Sequence, residues 1–295
     1  MASPIVLWMY VAAVVSLVLG VVVARRDVAA AHGLGKLIAL AYVFYAAPLV
    51  VFGAEHLTDA HNIAQIVPSW MPWHMFWAYF VGLALVAAGL AISAKRYLRL
   101  TGALTALMFF LFVAMMHIPG IITHPHDRFF WAMVFRDSSF GAGALALAGA
   151  MMPRSSPGRD NAPITAARII IGIGMIVYGV EHFLHPANAP GVPLEKMMPA
   201  WVPLPHLWAY ITGAVLLVAG VAIVINRCAR NGATAAGSVM VLLTLFLYVP
   251  ILAMARTTPD MIEGLNYVFD TLLYGGAVLL LAVALPIDCT RAQIT

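Results

Sequence analysis

Apolar runs of about 20 residues recur from end to end of this chain, each closed by a short polar or turn-forming segment. At 1.5 Å per residue such runs match the roughly 30 Å hydrocarbon thickness of a bilayer. They predict membrane helices over 4–24, 36–56, 75–94, 102–117, 129–152, 166–183, 207–225, 233–255 and 265–286. The fold class expected is all-α: a polytopic integral membrane bundle of about nine transmembrane helices. The stretch 57–74, rich in His, Asn, Pro and Trp, breaks the pattern and is expected at the membrane interface.

The polar punctuation is not random. Val51-Phe52-Gly53-Ala54-Glu55-His56 closes one apolar run, and Val177-Tyr178-Gly179-Val180-Glu181-His182 closes another, 126 residues on. Behind the first come Val67-Pro68-Ser69-Trp70-Met71-Pro72, Trp77-Ala78-Tyr79, Gly82 and Gly89. Behind the second come Met198-Pro199-Ala200-Trp201-Val202-Pro203, Trp208-Ala209-Tyr210, Gly213 and Gly220. Recurrence of Trp, Pro and Gly in one order at one spacing points to a tandem duplication. The expected domains are an extra N-terminal helix with its loop (1–35), a four-helix repeat (36–152), a turn-rich linker (153–163) and a second four-helix repeat (164–295). Four spans per repeat make the two copies parallel.

Charge sets the orientation. Only 9% of the residues are charged and 63% are hydrophobic, with a mean hydropathy of +0.94. Soluble domains carry roughly 25% charge, so a net charge of +4 bears on topology and gives no reason to expect nucleic acid. With nine spans, Lys and Arg divide 12 against 4 between the two sides. The positive-inside rule then places the N-terminus outside and the C-terminus in the cytoplasm of a bacterial-type inner membrane. Arg25 and Arg26 follow the first run and nothing basic precedes it, so it is read as an uncleaved span. Two cysteines, Cys228 and Cys289, form no Cys-x-x-Cys, which argues against a dithiol redox motif.

Candidate chemistry follows from what interrupts the grease. Nine of ten histidines fall on the outer side, with His32 inside. Ionisable residues inside spans are costly and mark functional sites. Glu55 and His56 are therefore candidates for proton exchange, with Arg136, Asp137 and His117 tuning them. Glu55, His56, Glu181 and His182, joined by His185 at i+4 from Glu181, also compose a donor set for a transition metal such as iron, manganese or zinc. A competing reading makes each Glu-His pair a cap for its own repeat. Arg136-Asp137 is matched by Phe269-Asp270, and His117 by Tyr248, so one real site in the first repeat with an echo in the second is expected. Trp70, Trp77, Trp201 and Trp208 are candidates for an aromatic pocket that admits a quinone ring, or for a plain interfacial belt.

The Gly-x-Glu-His helix, the Val-Pro-x-Trp-x-Pro loop, the Trp-Ala-Tyr-x-x-Gly helix and the small-residue fourth helix resemble the DoxX/DoxD-like membrane proteins. The resemblance covers 36–286, as two fused four-helix units. It implies a quinone-linked oxidoreductase subunit or redox-accessory protein, since a known member of that family is a subunit of a thiosulfate:quinone oxidoreductase. The implied cofactor is a quinone or a transition metal, and the implied partners are the bilayer, a quinone and other oxidoreductase subunits. Two alternatives stay open: a transporter or metal-handling protein, and a non-catalytic membrane scaffold.

Overall fold

A computed structural model describes residues 3–153, 160–192 and 195–286. Cys289, and Arg154, Arg159 and Arg291 from the 12 basic residues on one side, lie outside the described residues. The long helices are α1 (Pro4–Ala30), α2 (Ala41–Thr58), α3 (His74–Ser93), α4 (Leu98–Thr123), α5 (Arg128–Ala150), α6 (Ala162–Leu184), α7 (Pro205–Val224), α8 (Ala229–Met254) and α9 (Thr258–Ala284). All but α2 and α5 are both long and apolar enough to cross a membrane. Those two carry Glu55 and His56, and Arg136 and Asp137, within otherwise apolar helices. Wide apolar surfaces stay exposed, as at Leu7, Val14 and Val18 on α1, where a soluble protein would show polar groups.

Several helices outrun their apolar stretches, for local reasons. Helix α1 continues through Arg25-Arg26 to Ala30, and its Asp27 pairs with Lys95 beyond α3. Helix α9 begins at Thr258, earlier than hydropathy predicts. The Thr257 hydroxyl accepts from the Asp260 amide, and the Asp260 carboxylate accepts from the Thr257 amide, a reciprocal cap. Helix α4 runs past His117 to Thr123 because it absorbs Pro119 through a π-turn over Val113–His117. Proline lacks an amide hydrogen and clashes with the carbonyl four residues back, and a wider turn relieves both. Pro250 does the same to α8 over Thr244–Tyr248.

Packing puts α9 at the centre. It is buried along nearly its whole length and touches α2, α5 and α8, with α6 brushing it. Helix α9 thus packs on α2, and α5 on α6. Helices α5 and α9 meet at small residues, since a Cβ on Gly143 would lie 2.5 Å from the Ala277 Cβ. Helix α9 meets α2 through Gly276, whose added Cβ would sit 2.5 Å from the Tyr45 nitrogen and 2.6 Å from the Phe44 carbonyl carbon. Without a hydrophobic force between helices in lipid, such backbone approach supplies the contact.

Irregularities recur in register. Left-handed residues stand at Trp73, Lys95 and Tyr97, and again at Leu204, Asn226 and Cys228, each pair 131 residues apart. The two π-turns keep the same offset.

Candidate functional site

The buried polar groups converge on Arg136, in the N-terminal half of α5. Its Nε donates to Asp137 Oδ1 at 3.0 Å, and its Nη1 to Asp270 Oδ2 at 2.7 Å. The second carboxylate comes from α9. A planar guanidinium can bridge two carboxylates in this way, and a lysine ammonium lacks the geometry. On the far side of Asp137, Oδ2 lies 2.7 Å from His117 Nε2. The π-turn that ends at His117 delivers that ring, so Pro119 positions it indirectly. Glu55 completes the group from α2, where its Oε1 accepts from Asn266 Nδ2 at 3.1 Å. Asn266 stands one helical turn before Asp270 on α9 and faces the same way.

Register explains how distant residues arrive together. From the Gly276–Tyr45 crossing, ten residues along each antiparallel helix lead to Asn266 and Glu55. From the Gly143–Ala277 crossing, seven residues back along each parallel helix lead to Arg136 and Asp270. Close small-residue crossings therefore fix the distances of the polar cluster two to three turns away. Three carboxyl groups, Glu55, Asp137 and Asp270, stand here with the single guanidinium of Arg136.

A groove of about 490 Å³ leads towards this cluster along α9. Thr258, Pro259, Ile262, Glu263, Asn266, Tyr267 and Asp270 line it. Its rim is braced by Lys196, whose Nζ donates to Glu263 at 2.8 Å, and by Tyr267, whose hydroxyl donates to the other oxygen of Glu263 at 2.7 Å. Asn266 Oδ1 is buried there with no hydrogen-bond partner among the described residues.

The two Glu-His pairs behave differently from their carboxylates' neighbours. Adjacent helical residues project about 100° apart, so Glu55 faces α9 while His56 faces α3. The His56 Nδ1–H donates to its own helix at Phe52 O, 2.8 Å away. Gly82 gives it room, since a Cβ there would lie 2.9 Å from the His56 Cβ. His182 repeats this geometry against Gly213, also at 2.9 Å, with Nδ1–H donating to Tyr178 O. Its Nε2 then accepts from the Gly191 amide at 2.8 Å. Both nitrogens of His182 are thereby used by backbone, which leaves it no lone pair for a ligand. Glu181 turns instead to Arg128 Nε at 3.0 Å, with His185 at 3.6 Å.

The expected five-residue metal set is not brought together. Helices α2 and α6, which carry the two pairs, make no contact. Among the described residues, no group of three or more His, Cys, Asp or Glu side chains stands as metal ligands would. Trp77 and Trp208 each donate Nε1–H back to the loop before their helix, at Pro72 O (2.9 Å) and Pro203 O (3.0 Å). Trp70 and Trp201 lie exposed on those loops. Asp270 and Asn266, which complete the cluster, were the residues least marked in the sequence. Asp270 was visible as an intramembrane acid without a local cation; nothing in the sequence singled out Asn266.

A single substitution separates the structural histidine from the cluster. With His182→Ala, the Gly191 amide loses its acceptor and the loop 185–192 its tie to α6. Hydrogen exchange at Gly191 is expected to speed by tenfold or more, with helical content unchanged.

Fold and surface together define a multi-pass helical membrane protein. Residues 164–249 match the DoxX family model. Residues 44–128 match a second family, described as a domain of unknown function (DUF8561). No curated protein and no solved structure matches the chain significantly. The two matches cover α2–α4 and α6–α8, so Arg136, Asp137, Asn266 and Asp270 lie outside both.

Proposed function

We propose that this chain is a nine-span protein of two parallel DoxX-like units, with its N-terminus outside and its C-terminus in the cytoplasm. In this reading it serves a quinone-linked redox assembly in a bacterial-type inner membrane. The carrying observation is Arg136 shared between Asp137 and Asp270, with His117 and Glu55 at either flank and a groove running to Asp270.

The groove suits a quinone headgroup on its own chemistry. Such a ring needs apolar walls, which Pro259 and Ile262 offer, and a polar end. The unpartnered Asn266 Oδ1 is an acceptor for a quinol hydroxyl. When bound, a quinol supplies two protons and two electrons. Asp270 and Glu55 are the groups of this chain that take up a proton. Arg136 holds Asp270 in place, and His117 passes charge changes on Asp137 outwards. A partner subunit takes the electrons, since the described residues offer no redox couple of their own. The donor set does not fit a resident transition metal, so no step is assigned to one.

The reading is tested by extracting quinone from detergent-purified protein and by titrating a short-chain quinol. Asp270→Asn and Asn266→Leu are expected to reduce bound quinone at least fivefold, while Trp70→Ala and His185→Ala leave it unchanged. Purified protein that carries no quinone, and binds none on titration, overturns it.

A further inference from the structure

At the opposite end of the bundle from the Arg136 cluster, a groove of about 520 Å³ lies where α3 turns into α4 and α5 ends. Lys95, Tyr97, Leu98, Arg99, Leu100, Ala103 and Met151 line it. Lys95 and Tyr97 adopt left-handed backbone (φ 52° and 51°), which folds the connection tightly between the helices. Lys95 is already engaged: it pairs with Asp27, and its ammonium lies 4.8 Å from the centre of the Tyr42 ring. Arg99 is exposed and has no hydrogen-bond or ion-pair partner among the described residues. Below these cations the wall turns apolar. It continues along the exposed face of α4 through Leu100, Leu104 and Leu107.

A cationic head above a greasy track matches an amphiphile better than a free ion. Arg99 presents a guanidinium fork, which pairs with two oxygens of a phosphate at once. Lys95 lines the same groove with its charge already met by Asp27, so Arg99 is the cation left to a ligand. Leucines spaced along one helix face offer a continuous bed for an acyl chain. We propose that this groove is a binding site for a membrane lipid with an anionic phosphodiester headgroup, phosphate on Arg99, chain along α4.

The matching place in the second unit is built differently. Asn226 stands where Lys95 does, and Asn231 and Thr234 replace Leu100 and Ala103. Arg230, the counterpart of Arg99, spends its Nη1 on the Leu285 carbonyl at 3.0 Å. A general excess of basic residues on one side of the membrane would not predict this difference. The site belongs to the first unit alone and is independent of any quinone chemistry.

The test uses the full-length protein in detergent, delipidated and then titrated with phosphatidylglycerol, with phosphatidylcholine of the same chains, or with inorganic phosphate. Native mass spectrometry counts retained lipid, and thermal unfolding reads its effect. Phosphatidylglycerol is expected to be retained one per chain and to raise the melting temperature by several degrees. Phosphatidylcholine and phosphate are expected to do neither. Arg99→Gln removes the fork and Ala103→Trp, at an exposed position, fills the groove without changing charge. Each should weaken phosphatidylglycerol retention at least tenfold, while Arg227→Gln, an exposed cation of the second unit, changes nothing. Equal retention of both lipids overturns the proposal, as does stabilisation by phosphate alone. So does undiminished binding in Arg99→Gln and Ala103→Trp together.

Discussion

Arg136→Leu is expected to unfold the bundle or leave it only marginally stable. The substitution strands Asp137 and Asp270, two carboxylates that now share one guanidinium at 3.0 and 2.7 Å. Removing one partner of a buried ion pair costs about 3–5 kcal/mol, because the remaining charge stays buried and uncompensated. Here two charges are left, and the His117 imidazole can answer only Asp137. Neutralising the second acid should recover part of the loss. The double variant Arg136→Leu/Asp270→Asn is therefore expected to melt well above the single one, and Arg136→Lys to fall between wild type and leucine. Size-exclusion profiles and thermal melts in detergent read all three. A single variant as stable as wild type would mean that the cluster does not hold α5 to α9.

The second large effect is expected at Gly276. Its missing side chain lets α9 lie against the backbone of α2, where an added Cβ would come within 2.5 Å of the Tyr45 nitrogen. Backbone cannot rotate aside as a side chain can, so the helices must part. Overpacking of this kind costs about 1–3 kcal/mol for one added methyl, and more for a leucine. Gly276→Ala should lower stability measurably, and Gly276→Leu should also separate Glu55 from Asn266, ten residues along. Gly35→Ala provides the contrast. Its added methyl would meet only the Ala31 Cβ at 3.7 Å, and Gly35 opens the short helix Gly35–Ala39, where alanine is the better helix former. Opposite signs at the two glycines, read by thermal unfolding, are the expected result; a neutral Gly276→Leu would contradict the close α2–α9 crossing.

Both predictions turn on residues whose importance the sequence disclosed unevenly. Arg136 and Asp137 stand out as charges inside an apolar run, and the pairing of Arg136 with a carboxylate is legible at once. That the same arginine also serves Asp270, 134 residues away, is not. The matched Phe269 left Asp270 without a local cation, which hinted at a distant one but could not name it. Gly276 reads as one small residue among many until α2 is laid beside it. His56 and Glu55 look like one unit in sequence, yet the helix turns them onto different seams. His182 reads as a ligand until the Gly191 amide is found on its second nitrogen.

What the sequence determined unaided are properties set by nearest neighbours: the apolar runs, and the recurrence of Trp, Pro and Gly at fixed spacing. A run of hydrophobic residues needs no partner to prefer lipid. Tertiary structure alone decided which face of each helix meets which neighbour, and so which acids share Arg136. Helix rotation and crossing register are fixed by small residues at a few backbone contacts, and a single position there moves every side chain two or three turns away.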